Sequence, residues 1–554
     1  MIRPAALAAG IMLAARAWGQ VPLPPTIDPG AIQQRQIDEE RRRQELERLR
    51  SKPVTDPLKR PEVEKPAVKA APDAVRFLVR EIEFTPSAIL GNDELDSVAR
   101  DFRGKELTFA DLQQLAERIN ALYRAKGVVT AQAVIPPQDV SDGVVRVRLV
   151  EGRLGNIHID GNASTSAGYV KWRLGEAPGT LVDLKVLERD LIRFNRTTDA
   201  QLRAELKPGE SFGTTDLYLT LAEPPRHELR AFVDNSGSPS TGELREGVSY
   251  LNRSVFGWRD DFSLWATRAD GLQSYSATYG LPINPWGGRA SYGYYKDYTE
   301  VKYGPLASLD ITGESEAHIV SLRQPTYVSQ TMEIDVTGGY TKRNTANWIS
   351  GVFLQSTKTE TGNIGAELQV AGQHGYGLAN YSVTAGHAYT TSSRNYEIGR
   401  GSLRGGYDFG GSWSARGNVS FQHTEDDLLP SSEQFFLGGE GSVRGYPVGT
   451  FSGDQGYTVN LELHHPIGVL GGEQRGPEIA TTGFLFTDYG YVRPFRPPNS
   501  LLRASEQLSS VGVGLNVVVQ KHVTARLTFA YAMNDLPLEP RRYVVHFQLV
   551  ASVF

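Results

Sequence analysis

The sharpest pattern in the chain is an alternation of period two. In residues 510–520, SVGVGLNVVVQ, Val511, Val513, Leu515, Val517 and Val519 share one face of a strand and Gly512, Gly514 and Asn516 share the other. Residues 522–532 repeat it, with Val523, Ala525, Leu527, Phe529 and Tyr531 opposing Thr524, Arg526 and Thr528. This texture runs from Arg226 to Phe554, interrupted by Gly, Asn, Asp, Ser and Pro, and divides into roughly sixteen segments. A continuous apolar face opposite a polar, small-residue face predicts a transmembrane β-barrel of about 16 antiparallel strands. A soluble β-sandwich also alternates, but not over about 330 residues of long segments.

Before Arg226 the period changes. Residues 108–127 place Leu112, Leu115, Ala116, Ile119, Leu122 and Tyr123 on one helical face, with Thr108 and Asp111 as a capping pair and Gly127 as the stop. A strand at 76–84 precedes this helix, and two strands, VVTAQAVI and GVVRVRLV, follow it. The order recurs with a strand at 154–162, a helix around 181–195 and a strand at 216–223. Both helices carry D-L-x-x-L, at Asp111–Leu115 and Asp183–Leu187. A tandem repeat with a period of about 75 residues, each copy a small α+β domain, is the expectation. Further upstream, residues 28–50 open with Asp28 as N-cap and Pro29 at the first helical position. Asp38 and Glu39 precede Arg42 and Arg43 by one turn, and only Ile32, Ile37, Leu46 and Leu49 are large and apolar. A helix polar nearly all round lies in water or in a wet cavity. Residues 51–72 hold five prolines and mixed charge, the composition of an extended linker.

Composition narrows the function classes. With 58 basic and 63 acidic residues there is no bulk basic surface for nucleic acid. The chain has no cysteine, which excludes thiolate metal sites, thiol nucleophiles and disulfides. Residues 1–19 read as an export signal: Arg3, the apolar core PAALAAGIMLAA, then a cut after Ala17 or Gly19. No run of eighteen apolar residues follows, so a membrane passage requires a closed barrel.

The candidate site lies near the C-terminal end. Residues 438–449, GGEGSVRGYPVG, set one arginine, Arg444, in a glycine-rich loop. Further on, TTGFLFTDYGYV (481–492) alternates Phe484, Phe486, Asp488 and Gly490 against Leu485, Thr487, Tyr489 and Tyr491. An Asp facing lipid is costly, so Asp488 faces the lumen, where its carboxylate wants a partner. Arg444 is that partner if the loop folds back inside, because guanidinium grips carboxylate bidentately and glycine permits the sharp turn.

VRGY (443–446) followed by FTDYG (486–490, F-x-D-x-G) resembles the paired motifs of the TpsB transporters of two-partner secretion, within the wider superfamily of barrels with POTRA domains. The resemblance spans essentially the whole mature chain. It implies a signal peptide at 1–19, a plug helix at 20–50, a linker at 51–72, POTRA 1 at 73–152, POTRA 2 at 153–225 and a barrel at 226–554 with a pore-inserted loop at 430–455. It implies that Arg444 and Asp488 lock loop to wall, framed by Val443, Gly445, Tyr446, Phe486 and Gly490, and that the POTRA domains capture an unfolded secreted partner. The partner is then a large exoprotein (adhesin, cytolysin or haem-binding protein), with outer-membrane lipid and the barrel assembly machinery as further partners. A terminal Phe554 resembles an assembly signal, although the ladder Tyr543, Val545, Phe547, Leu549 is out of phase with it unless a bulge intervenes. Two other readings stand beside this one, an assembly insertase of the same superfamily and a passive porin.

No catalytic constellation or cofactor motif appears. GESFG (209–213) matches G-x-S-x-G but leads into a strand rather than a helix, which places Ser211 in a hairpin turn. His464 and His465 are adjacent and point to opposite faces, so they share no metal. Export then draws no energy from a nucleotide; folding of the partner outside makes passage irreversible, and open POTRA sheet edges, the second repeat first, offer an extended segment a strand to pair with.

Overall fold

The computed structural model describes residues 24, 26–50, 57–59, 76–126, 128, 130–211, 213–472, 476–494, 505–520, 522–536 and 541–553, with side chains at all of these but 46–50, 472, 476 and 477. The export signal, residues 60–72 of the linker, Gly127, Phe212 and Phe554 lie outside them, as do the Leu46 and Leu49 side chains. The chain divides into two compact units, one holding residues up to 52 and from 225 onward, the other residues 53–224.

In the smaller unit, β1 is Leu58–Lys59, β2 Phe77–Val79, β3 Glu81–Phe84, β4 Lys105–Leu107, β5 Ala131–Val134 and β6 Val144–Glu151. The second repeat has β7 Arg153–Asp160, β8 Gln201–Pro208 and β9 Thr214–Ala222. With α1 reserved for Pro29–Arg50 in the other unit, the helices are α2 Asn92–Arg100, α3 Phe109–Ala125, α4 Ala167–Arg173 and α5 Leu184–Thr197. The capping pair forms: Thr108 N donates to Asp111 Oδ2 at 2.8 Å and Asp111 N to Thr108 Oγ1 at 3.3 Å. Leu112, Leu115, Ile119 and Tyr123 then bury against β3, β5 and β6. The second repeat packs Leu187, Leu191 and Phe194 of α5 onto a sheet ordered β1-β8-β9-β7. Each repeat holds a helix, α2 or α4, and a strand, β4 or β8, beyond those expected from the sequence. The segment 76–84 also breaks at Arg80, its halves pairing with β4 and β6 respectively. Within the linker, β1 joins the second repeat's sheet. Ser211 sits in the β8–β9 turn, its carbonyl accepting from Thr214 N.

The larger unit closes sixteen strands into a barrel, each paired with the next in sequence. The first, His227–Asp234, also pairs antiparallel with the last, Tyr543–Val553, from Leu229 opposite Val553 to Asp234 opposite Gln548. Closure leaves no strand edge unpaired, which a bilayer demands. Val511, Val513, Leu515, Leu527 and Phe529 all face outward, as do Tyr543, Val545, Phe547 and Leu549. No bulge interrupts Tyr543–Val553 against either neighbour, so the described strand offers no change of phase toward residue 554. Among the described residues no helix is long and apolar enough to cross a membrane.

Helix α1 lies inside the barrel. Asp28 Oδ1 accepts from Ala31 N at 2.8 Å, capping it. Gln33 Nε2 donates to Asp297 Oδ2 at 2.5 Å and to the Ser315 carbonyl at 3.2 Å. Arg343 Nε gives Gln33 Oε1 a bond of 3.1 Å, Arg245 Nη1 reaches Glu39 Oε2 at 3.1 Å, and Arg404 Nη1 reaches Glu45 Oε2 at 2.9 Å. Of the charges whose spacing suggested pairs along the helix, Glu39 takes Arg245 of the wall and Arg43 lies 3.9 Å over Trp265, whereas Asp38 stays on the helix, 3.6 Å from Arg41 Nη1, and Arg42 donates to the Asp38 and Gly441 carbonyls.

Candidate functional site: a loop arginine inside the barrel

Residues 424–454 connect the strands Trp413–His423 and Gln455–Gly472, and their central part folds back into the lumen. Two short strands, Phe435–Leu437 and Phe451–Gly453, pair to form a neck. Above the neck Gly438 and Gly439 adopt φ of 98° and 92°, a region open to glycine, and turn the chain toward its tip. Gly439 N donates to the Tyr446 carbonyl at 2.9 Å, closing the tip on itself.

Arg444 stands at that tip, 3% exposed, against Asp488, 1% exposed. Its Nε donates to Asp488 Oδ2 at 2.9 Å, its Nη2 to Oδ1 at 2.6 Å and its backbone N to Oδ2 at 3.0 Å. The guanidinium plane lies 3.7 Å above the Phe486 ring. Gly445 packs against the wall so closely that a Cβ there would lie 2.8 Å from Ser510 Cβ and 3.0 Å from Ala532 Cα. Val443 and Tyr446 are buried with Leu437, Val492, Leu508 and Ala532. The Tyr446 hydroxyl lies 3.1 Å from the Ser509 and Asn534 carbonyls and accepts from Asn534 N at 2.8 Å. A Cβ on Gly490 would meet Val443 Cγ2 at 2.9 Å. All seven residues of the two motifs thus converge on one patch of inner wall.

The patch is wider than the motifs. Asn460, Asp488, Ser510 and Ala532 stand opposite one another across four consecutive strands. Asn460 Nδ2 and Ser510 Oγ donate to Asp488 at 2.9 and 3.1 Å. Arg444 Nη1 also donates to Glu462, which takes Arg526 Nη2 at 2.8 Å and His464 Nε2 at 2.8 Å. His546 on the last strand donates Nε2–H to the Arg444 carbonyl at 2.7 Å. His465, one residue from His464, faces outward and lies against Trp413, the ring centroids 4.5 Å apart and the planes tilted by 51°. Inside, Phe484 and Phe486 fill space that Gly512 and Gly514 on the next strand leave open; a Cβ on either glycine would collide with the facing ring. Arg42 of α1 donates to the Gly441 carbonyl at 3.0 Å, so the loop touches both wall and plug. Glu462, Arg526, Asn460, Ser510 and His546 all sit on inward positions of their strands, a signal present in the alternation.

Residues 213–517 match the family described as haemolysin secretion/activation protein ShlB/FhaC/HecB, and residues 77–152 match the ShlB-type POTRA domain. The outer membrane transporter CdiB of Dickeya dadantii is 26% identical over 413 residues, covering 70% of this chain and 72% of its own. The heme/hemopexin transporter protein HuxB of Haemophilus influenzae is 23% identical over 454 residues, covering 77% and 78%. In fold the chain resembles CdiB from Escherichia coli, with a TM-score of 0.66 at 21% identity over 95% of this chain and 98% of that one.

Proposed function

We infer the function from one premise: this chain belongs to the haemolysin secretion/activation family. It is an outer-membrane transporter of two-partner secretion, with its POTRA repeats in the periplasm, and it passes a secreted partner protein to the cell surface. A closed barrel whose lumen holds both a polar helix and an inserted loop carries this reading best, since both obstruct the open passage a passive porin needs. We propose that Arg444 and Asp488 lock the loop in the position from which the pore works, with Val443, Gly445, Tyr446, Phe486 and Gly490 seating them. The cargo is a large, unfolded exoprotein of the adhesin, cytolysin or haem-binding kind, delivered to the POTRA repeats; outer-membrane lipid and the barrel assembly machinery complete the set of partners. No step calls for a cofactor or a bond-making residue. A strain lacking the protein tests the reading. Retention of one large exoprotein in the periplasm supports it, whereas loss of many outer-membrane barrels replaces it with the insertase reading.

A further inference from the structure

On the outside of the barrel, two rows of side chains cross the seam where the last strand meets the first. Ala551, Ala231, Val248, Ala266 and Tyr275 stand opposite one another, on the last strand and then on His227–Asp234, Arg245–Asn252, Asp261–Ala269 and Leu272–Pro282. Leu549, Val233, Glu246, Arg268 and Gln273 form the next row, one step nearer the extracellular ends of the same strands. Alternation turns both rows toward the membrane. Arg245, of the opposite parity, reaches Glu39 in the lumen, and Asp234 and Thr267 are buried on that side with it.

The three alanines of the first row leave a groove of about 730 Å³ walled by Val248, Tyr275 and Leu549. The second row closes its extracellular end with polar groups. Glu246 and Arg268 are paired in register, yet among the described residues neither makes an ion pair or a hydrogen bond. Elsewhere on the outer wall such charges are matched: Lys296 meets Glu314 at 3.1 Å, and Lys342 meets Glu360 at 3.4 Å. Gln273 Oε1 accepts from the Tyr275 hydroxyl at 3.4 Å, which leaves its amide N–H groups to donate. A guanidinium on the lipid-facing side of a barrel is costly unless an anion meets it.

We propose that this groove binds a phosphorylated glycolipid of the outer leaflet. Its acyl chains lie over Ala231, Ala266 and Ala551, Arg268 and Gln273 donate to its phosphate, and Glu246 accepts from its sugar hydroxyls. Position and charge choose this occupant. The polar row lies at the extracellular ends of its strands, at the level of an outer-leaflet headgroup and away from the inner leaflet. The unmatched guanidinium fork fits the paired oxygens of a phosphate. The carboxylate facing it across the ladder disfavours a purely anionic surface and suits a hydroxylated one. Because the groove runs from the last strand to the fourth, its occupant spans a closure that six residue pairs hold, and it braces the cylinder there. The site needs only the outer-membrane placement, whatever the barrel exports.

Native mass spectrometry of the purified full-length chain in detergent tests the site. Lipid A is titrated beside lipid A stripped of its phosphates, phosphatidylethanolamine and inorganic phosphate. The unaltered chain is expected to bind lipid A about tenfold more tightly than the dephosphorylated form, and to leave phosphatidylethanolamine and free phosphate largely unbound. Arg268→Gln is expected to lose that tenfold preference, and Ala266→Phe to weaken binding by filling the groove. Lys342→Gln, which removes an outward cation already matched by Glu360, is expected to keep it. Bound lipid A should also raise the temperature at which the unaltered barrel is heat-modified, and not that of Arg268→Gln. Equal binding of the two forms of lipid A by the unaltered chain overturns the proposal without recourse to a variant. Equal preference in Arg268→Gln overturns it as well, and so does binding of phosphatidylethanolamine or free phosphate as tightly as lipid A. No cargo enters these measurements, so a failure of the export reading leaves their outcome standing.

Discussion

Asp488 accepts five hydrogen bonds, three from Arg444 and one each from Asn460 and Ser510. Removing one member of a buried charge pair costs roughly 3–5 kcal/mol in a dry interior and less in a hydrated lumen. That is large for a loop and small for a barrel whose strands form a closed ladder. Arg444→Ala and Asp488→Ala are therefore expected to give heat-modifiable barrels that secrete poorly; normal export by both would remove the lock from the mechanism. Arg444→Lys should resemble the alanine variant, because one ammonium cannot reproduce the fork to Asp488 together with the contact to Glu462. Gly445→Ala tests seating without touching charge. Its methyl group meets the Ala532 backbone, and overpacking of about 1–3 kcal/mol should loosen the tip, read as faster proteolysis within residues 438–449 of the assembled protein. Arg444 and Asp488 stand out in the sequence because a lone cation among glycines and an inward carboxylate each lack a local explanation. Glu462 and Arg526 do not. They are visible as inward polar residues, but which faces which depends on strand register, and register follows from turns that a single sequence leaves open.

Helix α1 shows the same limit at the scale of an element. Its polar surface excluded a packed core, and the structure answers with wall residues that bond Gln33, Gln34, Glu39 and Glu45. Arg343 is the junction of that match. It donates to Gln33 Oε1 at 3.1 Å and Gln34 Oε1 at 2.5 Å, and its Nη1 lies 3.5 Å from Glu433 in the loop. Arg343→Met should weaken the hold on the helix while leaving Arg444 and Asp488 in place. Planar-bilayer recordings are expected to show more frequent open-pore events, and unchanged recordings would count against α1 as the obstruction. The short elements α2, α4 and β4 escaped the sequence reading for a physical reason, whereas β8, with Leu202, Ala204 and Leu206 alternating against Arg203, Glu205 and Lys207, was legible and was missed. α2 buries only Leu95 and Ala99, and its N-cap is Gly91, which has no side chain to accept a bond, so neither a long apolar stripe nor a side-chain cap marks it. In the first repeat, partial burial pushes the Glu151 carboxyl up, but hydrogen bonds from Ser87, Ala88, Tyr123 and Ile89 outweigh it and hold it below the ordinary value of 4.5. A carboxyl lowered on folding adds stability that is present above its unfolded value and is lost as pH falls through the lower folded one. Exchange of the Ala88 and Ile89 amides, corrected for intrinsic rate, should therefore accelerate on acidification below 4.5, and Glu151→Gln should remove that dependence.

At the scale of the whole molecule, the barrel was the easiest feature to read, because lipid on one side and water on the other impose a strict alternation on every strand. The order of its fastenings along the chain was not legible. Arg444 meets Glu462 18 residues later, Asp488 44 residues later and His546 102 residues later, on the final strand. A polypeptide made from its N-terminus presents the loop first and its anchorage piecemeal afterwards. Only a cylinder sealed by its last strand offers the loop every contact, because a product lacking that strand keeps Asp488 and Glu462 but loses the bond from His546 to the Arg444 carbonyl.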